Sequence, residues 1–473
     1  MSPPLISKAA ARYTGAGGRE HCSLCRHFSP RRGGRCARVL GDISPMGWCR
    51  LFSREMRGLV ADASSFNGGA GGPALSLDFM TPGTLDPAIT FTRASTATYF
   101  DAAGVMQTAA TNTPRWDYDP VTLALRGMLI EEARTNVATN SRTASLWTKT
   151  DVVVTDNSTI SPEGTANASL AVEGVAGTAL LATNTPTITP SSTVSFSAFL
   201  KRGNNDFVRV LCTDNGTANG VNVWINLATG AVTSSVRGTA TNVSASSVAL
   251  PNGWFRVVAT ATLIGTSTIC SIALNCAPSA GSAARVNNGQ YYVFGGQIEA
   301  GASASSYIPT TGASAPRAAD SCTMSTSPWL TDPLALSYVI EATQPMQGSP
   351  VAWVQFDDGT VNNRSVLSTN AGALNLAYFE NVATVTTVTL SSVGNVVAGV
   401  PFKGGVSSTA GQHIYARDGV SSTPNTNAAN PPVVTTLRIG KGTNPTTGSF
   451  YVRRVSYWSR ALSVAELRTV TSP

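Results

Sequence analysis

The run Phe91–Asn136, FTRASTATYFDAAGVMQTAATNTPRWDYDPVTLALRGMLIEEARTN, decides how the rest of the chain is read. It holds no metal-ligand set and no nucleophile–base pair. Thr96–Phe100 (TATYF) is β-prone, Asp101–Gly104 is a turn signal, and Pro114 and Pro120 stop any helix. Arg126–Asn136 then sets Met128–Ile130 ahead of two acids. Short extended segments joined by turns make a wrapped, half-buried connector.

The same residues carry a resemblance. FTRASTATYFDAAGV followed by PRWDYDPVTLALRGMLIEEARTN resembles the leader of a family of tailed-bacteriophage structural proteins. In that family the leader precedes a jelly roll similar to carbohydrate-binding modules. A second run, Gly295–Asp320 (GGQIEAGASASSYIPTTGASAPRAAD), resembles the segment that closes the same jelly roll. The resemblance implies a virion part, a fibre or tail-tip component, with other tail proteins as partners. It places an extended leader at residues 75–136, packed on a jelly roll at 137–320.

Composition agrees with a β-rich chain. The protein has 473 residues, long enough for about three domains, with 12% charged residues and 43 glycines. Turn-rich β-sandwiches with neutral surfaces fit that profile better than helical bundles. No apolar run approaches the ~20 residues of a membrane span. MSPPLISKAAARYTG lacks the apolar core of a secretory signal, so synthesis in a host cytoplasm without a signal peptide is expected. The net charge of +7 is unevenly spread. Residues 1–60 carry 11 basic against 3 acidic side chains, and the remainder 22 against 23.

That basic module, residues 1–60, contains Cys22, Cys25, Cys36 and Cys49 within one short stretch. A module so small buries too little apolar surface to be stable alone, and a metal centre supplies the missing core. Structural zinc sites present two close cysteine pairs, whereas only Cys22 and Cys25 are close here. Iron–sulfur clusters accept four separately placed thiolates beside bulky apolar groups, and Trp48, Phe28, Leu51 and Phe52 suit that role. CSLCRHF and RCARVLGDISPMGWCRLF also resemble high-potential iron–sulfur proteins, with their CxxC, later Cys and terminal GWC. A [4Fe–4S] cluster is the expectation. Zinc, with His21 or His27 as substitute ligands, is the alternative, and disulfides or free thiols come after it. Arg26, Arg31, Arg32, Arg35 and Arg38 offset a thiolate cluster's charge, dock on an acidic neighbouring subunit, or touch nucleic acid. Docking is preferred, because no aromatic interleaving or groove-reading motif accompanies them. Residues 61–74, with NGGAGGP at 67–73, read as a flexible linker.

Beyond the linker, strands alternate with turns. Ala74–Phe79 sets Leu75, Leu77 and Phe79 on one face. Thr193–Leu200 does the same with Val194, Phe196, Ala198 and Leu200, and Gly253–Leu263 with Phe255, Val257, Ala259, Ala261 and Leu263. In Gly220–Leu227 (GVNVWINL), Val221, Val223, Ile225 and Leu227 point inward, leaving Trp224 on the polar face between Asn222 and Asn226. An outward indole between two amides is a platform for a pyranose ring, its hydroxyls meeting the amides. The competing reading has Trp224 packed under a neighbouring loop, the leader or another subunit. Trp147 reads as a core or edge residue. Cys270 and Cys276 share one face of one strand and cannot bridge.

Residues 321–473 read as a second sandwich, with strands at Leu336–Ala342, Val351–Phe356 and Leu437–Gly440. The terminal LRIGKGTNPTTGSFYVRRVSYWSRALSVAEL resembles the end of laminin-G or concanavalin-like domains. Ser463–Glu466 is an S-x-x-E capping box opening a short helix. Asp357, Asp358, Asn362 and Asn363 offer oxygen ligands for calcium, or form a polar hairpin loop. His413 has no sequence neighbour that suggests a catalytic pair, and P-loop, G-x-S-x-G and H-E-x-x-H motifs are absent.

The reading is a mostly β protein. Two antiparallel β-sandwiches, a jelly roll and a laminin-G/concanavalin-like domain, follow a four-cysteine, metal-centred module. It is expected to be a non-enzymatic virion tail or fibre protein, mounted through its N-terminal module and presenting the sandwiches to a host-surface glycan or receptor. A homo-oligomer such as a trimer fits this expectation. A ligand-free spacer and a glycan depolymerase are the rival readings. Protein purified without oxygen is expected to carry about four irons with matching sulfide per chain. About one zinc without sulfide would replace the cluster by a zinc-nucleated knot.

Overall fold

The computed structural model describes residues 72–214, 219–263, 268–345, 351–369, 375–391, 393–440, 442 and 448–473, with the backbone of Phe28–Ser29 and Arg35–Cys36. The chain divides into two units, Met1–Gly68 and Gly69–Pro473. In the first unit Phe28–Ser29 pairs antiparallel with Arg35–Cys36, Cys36 standing opposite Phe28. Cys22, Cys25, Cys49, His21 and His27 lie outside the described residues.

The second unit is built from antiparallel sheets, and its inserted sandwich comprises two of six strands each. One runs in the order Thr148–Thr150, Leu180–Ala182, Cys270–Ala277, Phe207–Asp214, Gly220–Asn226, Val232–Arg237. The other runs Val152–Thr159, Ala168–Glu173, Gln290–Ala300, Thr193–Arg202, Trp254–Thr262, Thr241–Ala249. Alternation dictates the packing. Val194, Phe196 and Leu200 from one sheet meet Val208, Val221, Val223 and Ile225 from the other in one core, together with Cys270, Cys276 and Trp147.

The rest of the unit is a second, split sandwich. One sheet has seven strands: Val385–Leu390, Leu376–Val382, Arg364–Thr369, Ala352–Asp357, Thr436–Ile439, Ser321–Ser325 and Ile89–Thr92. The other has eight: Val420–Ser421, Gln412–Arg417, Phe402–Thr409, Leu336–Thr343, Phe450–Trp458, Leu125–Ile130 and Trp116–Tyr118 in order, with Leu75–Asp78 also on Phe450–Trp458. The leader at 75–136, expected to pack on the jelly roll at 137–320, instead adds strands to the sandwich expected at 321–473. Leader strands pair with the C-terminal part: Leu75 opposite Tyr457, Phe91 opposite Cys322, Met128 opposite Val452. Their side chains Leu77, Phe79, Met128 and Ile130 belong to the same core as Trp353, Phe356 and Phe450. Gly127 shows how close this docking is: its φ is +127°, and a Cβ there would sit 2.4 Å from the Val452 carbonyl oxygen. The hairpin Ala97–Phe100 with Met106–Ala109 turns toward the inserted sandwich, where Phe100 and Met106 pack with Phe199, Leu250 and Trp254.

The C-terminal helix Val464–Thr471 starts at the capping box. The Ser463 hydroxyl accepts from the Glu466 N–H, and the Glu466 carboxylate accepts from the Ser463 N–H. Leu467 and Val470 seal its inner face against Val339, Ile414 and Trp458.

The chain leaves the split sandwich at Arg134–Asn136 and re-enters at Ala315–Arg317, and these two crossings pair antiparallel. Beside them lies a buried ion network. Arg115 binds Glu131 at 2.7 Å and Asp320 at 2.6 Å, Arg93 binds Asp320 at 3.1 Å, and Arg317 closes on Glu131. All five side chains are 2% exposed or less. Carbonyl oxygens of Thr98, Ser95, Ala110 and Glu132 accept the remaining guanidinium N–H groups that are bonded, and Ser306 donates to Glu131. Arg93, Arg115 and Glu131 come from the first family-like run, Arg317 and Asp320 from the second.

Burial alone would raise the Glu131 pKa, but the Arg317 and Arg115 guanidiniums and Ser306 hold it well below the usual carboxylate range. Its contribution to stability is therefore complete above its unfolded pKa of about 4.5 and fades as pH falls below it. Glu131→Gln leaves the buried Arg317 guanidinium without an acid and Arg115 with Asp320 alone, and is expected to lower unfolding stability by about 3–5 kcal/mol. Urea titrations at neutral and acid pH check both points: the difference between parent and variant should be large at pH 7 and shrink on acidification.

Candidate functional site

The first candidate is the outward face of the inserted sandwich around Trp224. With Val208, Val210 and Cys212 in the core, Arg209 points the other way, as does Trp224 between Val223 and Ile225. Register puts Asn275, Arg209, Trp224 and Thr233 opposite one another across four neighbouring strands. The next row holds Ala273, Leu211, Asn222 and Ser235. Arg209 donates to Asn222 Oδ1 at 2.7 Å, and its guanidinium lies 5.8 Å from the centre of the Trp224 ring.

Of the two readings of Trp224, the structure has the covered one, under a neighbouring loop: the indole is only 5% exposed. Its Nε1–H donates to the Ser282 carbonyl at 2.6 Å, in the connection between Cys270–Ala277 and Gln290–Ala300 that lies across the face. An indole wedged between charged and amide side chains loses water on both sides, and a chain segment offering a carbonyl to its N–H is the simplest cover. Asn222 is buried and bonded to Arg209 and Ser235. Asn226 stands apart, its Oδ1 capping the following turn through the Ala228 and Thr229 N–H groups. Sequence reasoning missed Arg209 and Asn275. Alternation in FVRVLCTD marks Arg209 as outward, but only strand pairing sets it against Trp224.

The second candidate is a cleft of about 520 Å³ where the leader hairpin, the inserted sandwich and the split sandwich meet. Tyr99, Phe100, Leu250 and Pro401 give it apolar walls, and Asp117, Asp119, Arg126, Arg256 and Tyr451 give it polar groups. Asp117 accepts from the Phe100 N–H at 2.7 Å and the Tyr451 hydroxyl at 2.8 Å, with Arg126 at 3.4 Å. Burial nonetheless pushes the Asp117 pKa above its ordinary value. For Asp119 burial is outweighed by the Thr122 and Val121 N–H groups and Arg126, which hold its carboxyl below the ordinary value. Arg126 spans both acids and lies 5.6 Å over the Tyr451 ring.

Other sequence candidates have structural duties. Asp357 is fully buried and paired with Arg438 at 2.7 Å, while Asp358 accepts from Thr360 and Asn363 in a self-bonded loop. This corrects the calcium option: Asp357 is committed to an arginine. His413, unpartnered in the sequence reading, has Ser408 Oγ at 2.8 Å and Glu380 at 3.2 Å, all fully buried. Both partners crowd the same ring nitrogen, and the other meets the Asn427 carbonyl, so this is a packed polar knot without the relay geometry of a hydrolase. Burial pushes the Cys270 and Cys322 thiols up to about 12, which leaves them inert. Among the described residues no group of three or more His, Cys, Asp or Glu side chains is placed to hold a metal ion, and no helix is long and apolar enough to cross a membrane.

No family model matches this chain, and no curated protein matches it. Solved structures do. The CBM40 module of the Ruminococcus gnavus IT-sialidase, bound to α2,3-sialyllactose, matches with a TM-score of 0.26 and 16% identity, covering 30% of this chain and 84% of that one. The NanB sialidase of Streptococcus pneumoniae matches at 0.27 and 12%, over 31% of this chain and 26% of its own. A heptameric SAP-like pentraxin from Limulus polyphemus matches at 0.24 and 12%, over 29% and 70%. These are partial likenesses of β-architecture.

Tyr451→Phe removes one hydrogen bond to Asp117. The Asp117 pKa is expected to rise further and stability to fall by about 1–3 kcal/mol. Carboxyl-carbon NMR titration and urea unfolding check the two effects.

Proposed function

We propose that this chain is a tailed-bacteriophage virion protein of the tail, fibre or tail tip, whose two sandwiches bind a host-surface glycan. In this reading the inserted sandwich is the jelly roll similar to carbohydrate-binding modules, and the split sandwich is laminin-G/concanavalin-like. The basic module at 1–60 docks on other tail proteins. Cys22, Cys25, Cys36 and Cys49 hold its metal centre, a [4Fe–4S] cluster in the first instance and zinc in the second.

One observation carries the reading. Charged residues of the two family-like runs meet in a single buried network, and that network stands beside the cleft, with Glu131 contributing to both. A cleft walled by tyrosine, phenylalanine and proline, with arginine and aspartate at hand, suits a sugar: apolar ring faces stack while hydroxyls are bonded. Repetition on a particle multiplies a weak site into firm attachment. No catalytic step is assigned.

Val248 and Thr122 line the cleft and are exposed, so Val248→Trp and Thr122→Trp fill it without emptying the core. Each is expected to weaken binding of host-surface polysaccharide at least tenfold, with a matching loss of cell adsorption and an unchanged unfolding midpoint. Unchanged binding in both variants would sink the cleft as the glycan site. A parent protein that binds no host polysaccharide would leave the spacer reading standing. Falling polysaccharide viscosity on incubation with the parent would instead reveal a depolymerase.

A further inference from the structure

We propose a second ligand site, separate from the cleft, in which the Arg209–Trp224 face beneath the 278–289 connection takes the carboxylate of an acidic sugar.

Four observations converge. First, Arg209 is 6% exposed, yet among the described residues no carboxylate lies within ion-pair distance of it. Its single acceptor is the neutral Asn222 amide. A buried guanidinium without an acid is a costly arrangement, and one that an incoming anion relieves.

Second, among the described residues two atoms on this face lack a partner: Arg209 Nε and Asn275 Oδ1, on residues directly opposite in register. A bare N–H and a bare carbonyl oxygen suit a sugar acid's two kinds of group: its carboxylate accepts from the Arg209 N–H, and a hydroxyl donates to Asn275 Oδ1. Asn275 is fully buried, so its carbonyl is not simply turned to solvent.

Third, further positive charge gathers at the same place. Burial, then the like charges of Arg285 and Arg237, push the Arg209 pKa down. Arg285 also has a bare buried Nε, and belongs to the segment that crosses the face. Glu173 attracts Arg285 without reaching ion-pair distance. A planar guanidinium recognises a carboxylate through two parallel N–H bonds, which makes an acid the anion of choice here.

Fourth, the same face carries the Trp224 ring and the Asn222 amide, the groups a pyranose uses for stacking and hydroxyl bonding. Carboxylate recognition next to an indole points to a sugar acid in preference to a free inorganic anion.

The face is closed by the connection itself, which the Trp224 indole holds through the Ser282 carbonyl. The connection is rich in small residues: Pro278–Ser282 reads PSAGS, and a Cβ on Gly281 would meet nothing. Ligand entry therefore requires it to lift, breaking one hydrogen bond to the platform, and the bound state is selected from that open population.

The test uses the full chain, titrated calorimetrically with galacturonate oligosaccharide, with sialyllactose, and with lactose as the neutral control. One acidic sugar is expected to bind at least tenfold more tightly than lactose, and the two acids distinguish a uronate from a nonulosonate. Arg285→Ala, on the crossing segment, is expected to remove at least tenfold of that affinity while leaving lactose unaffected. Trp224→Phe keeps an aromatic face and loses the strap bond, so faster association with similar or tighter affinity is expected. Val248→Trp, which fills the cleft, should leave acid binding intact.

Binding of neither acid, or equal binding by Arg285→Ala, would overturn the proposal. Loss of acid binding in Val248→Trp would move the acid into the cleft and overturn it equally. A crystal structure at high acid concentration with only water between Arg209 and Asn275 would do the same.

Discussion

Five buried charges hold this protein's larger unit together. Arg93, Arg115 and Arg317 face Glu131 and Asp320 in a space closed to water, and the five residues come from both ends of the inserted sandwich. Such a network adds little net stability compared with an apolar plug, because desolvating the ions consumes most of their attraction. Its value is specificity. A guanidinium buried without its carboxylate is far less favourable than one with it, so only the arrangement that joins all five satisfies the junction. Backbone bonds reinforce it: the Glu131 N–H donates to Asp320, and the Asp320 N–H donates to the Glu131 carbonyl.

The insertion follows from the same place. A domain can be threaded into another when its two ends are adjacent, and here Arg134–Asn136 and Ala315–Arg317 pair directly. The split sandwich then forms around strands that precede and follow the insert. Its core joins Phe79 and Met128 to Phe450 and Tyr457, so residues before the insert are as necessary as those after it. The cleft is a consequence: the leader hairpin must reach the inserted sandwich while its flanking strands stay in the split one, and the space between them is lined by all three.

The two candidate sites differ in kind. The cleft is an open concavity in which Arg126 answers Asp117 and Asp119. The Trp224 face is closed, and among the described residues its central cation has no acid within ion-pair distance. Local pattern revealed the second in part, since an apolar alternation with Trp224 on the off-beat is visible in GVNVWINL. The first was invisible, because Asp117, Arg126 and Tyr451 have no local pattern that marks them as neighbours.

Strand identity was a property of the sequence by itself. Period-two alternation in Thr193–Leu200, Gly220–Leu227 and Gly253–Leu263 names the face that enters the core between the sheets before any partner is known, and the Ser463–Glu466 cap names the helix start, because both depend on residues a few positions apart. The cover over Trp224, the arginine bound to Asp357 and the place of Leu75–Asp78 and Leu125–Ile130 in the C-terminal sheet were decided by tertiary structure alone. A strand edge offers the same N–H and C=O groups to any neighbour, so which strand pairs with which depends on how distant side chains fill one core and neutralise one another's charge.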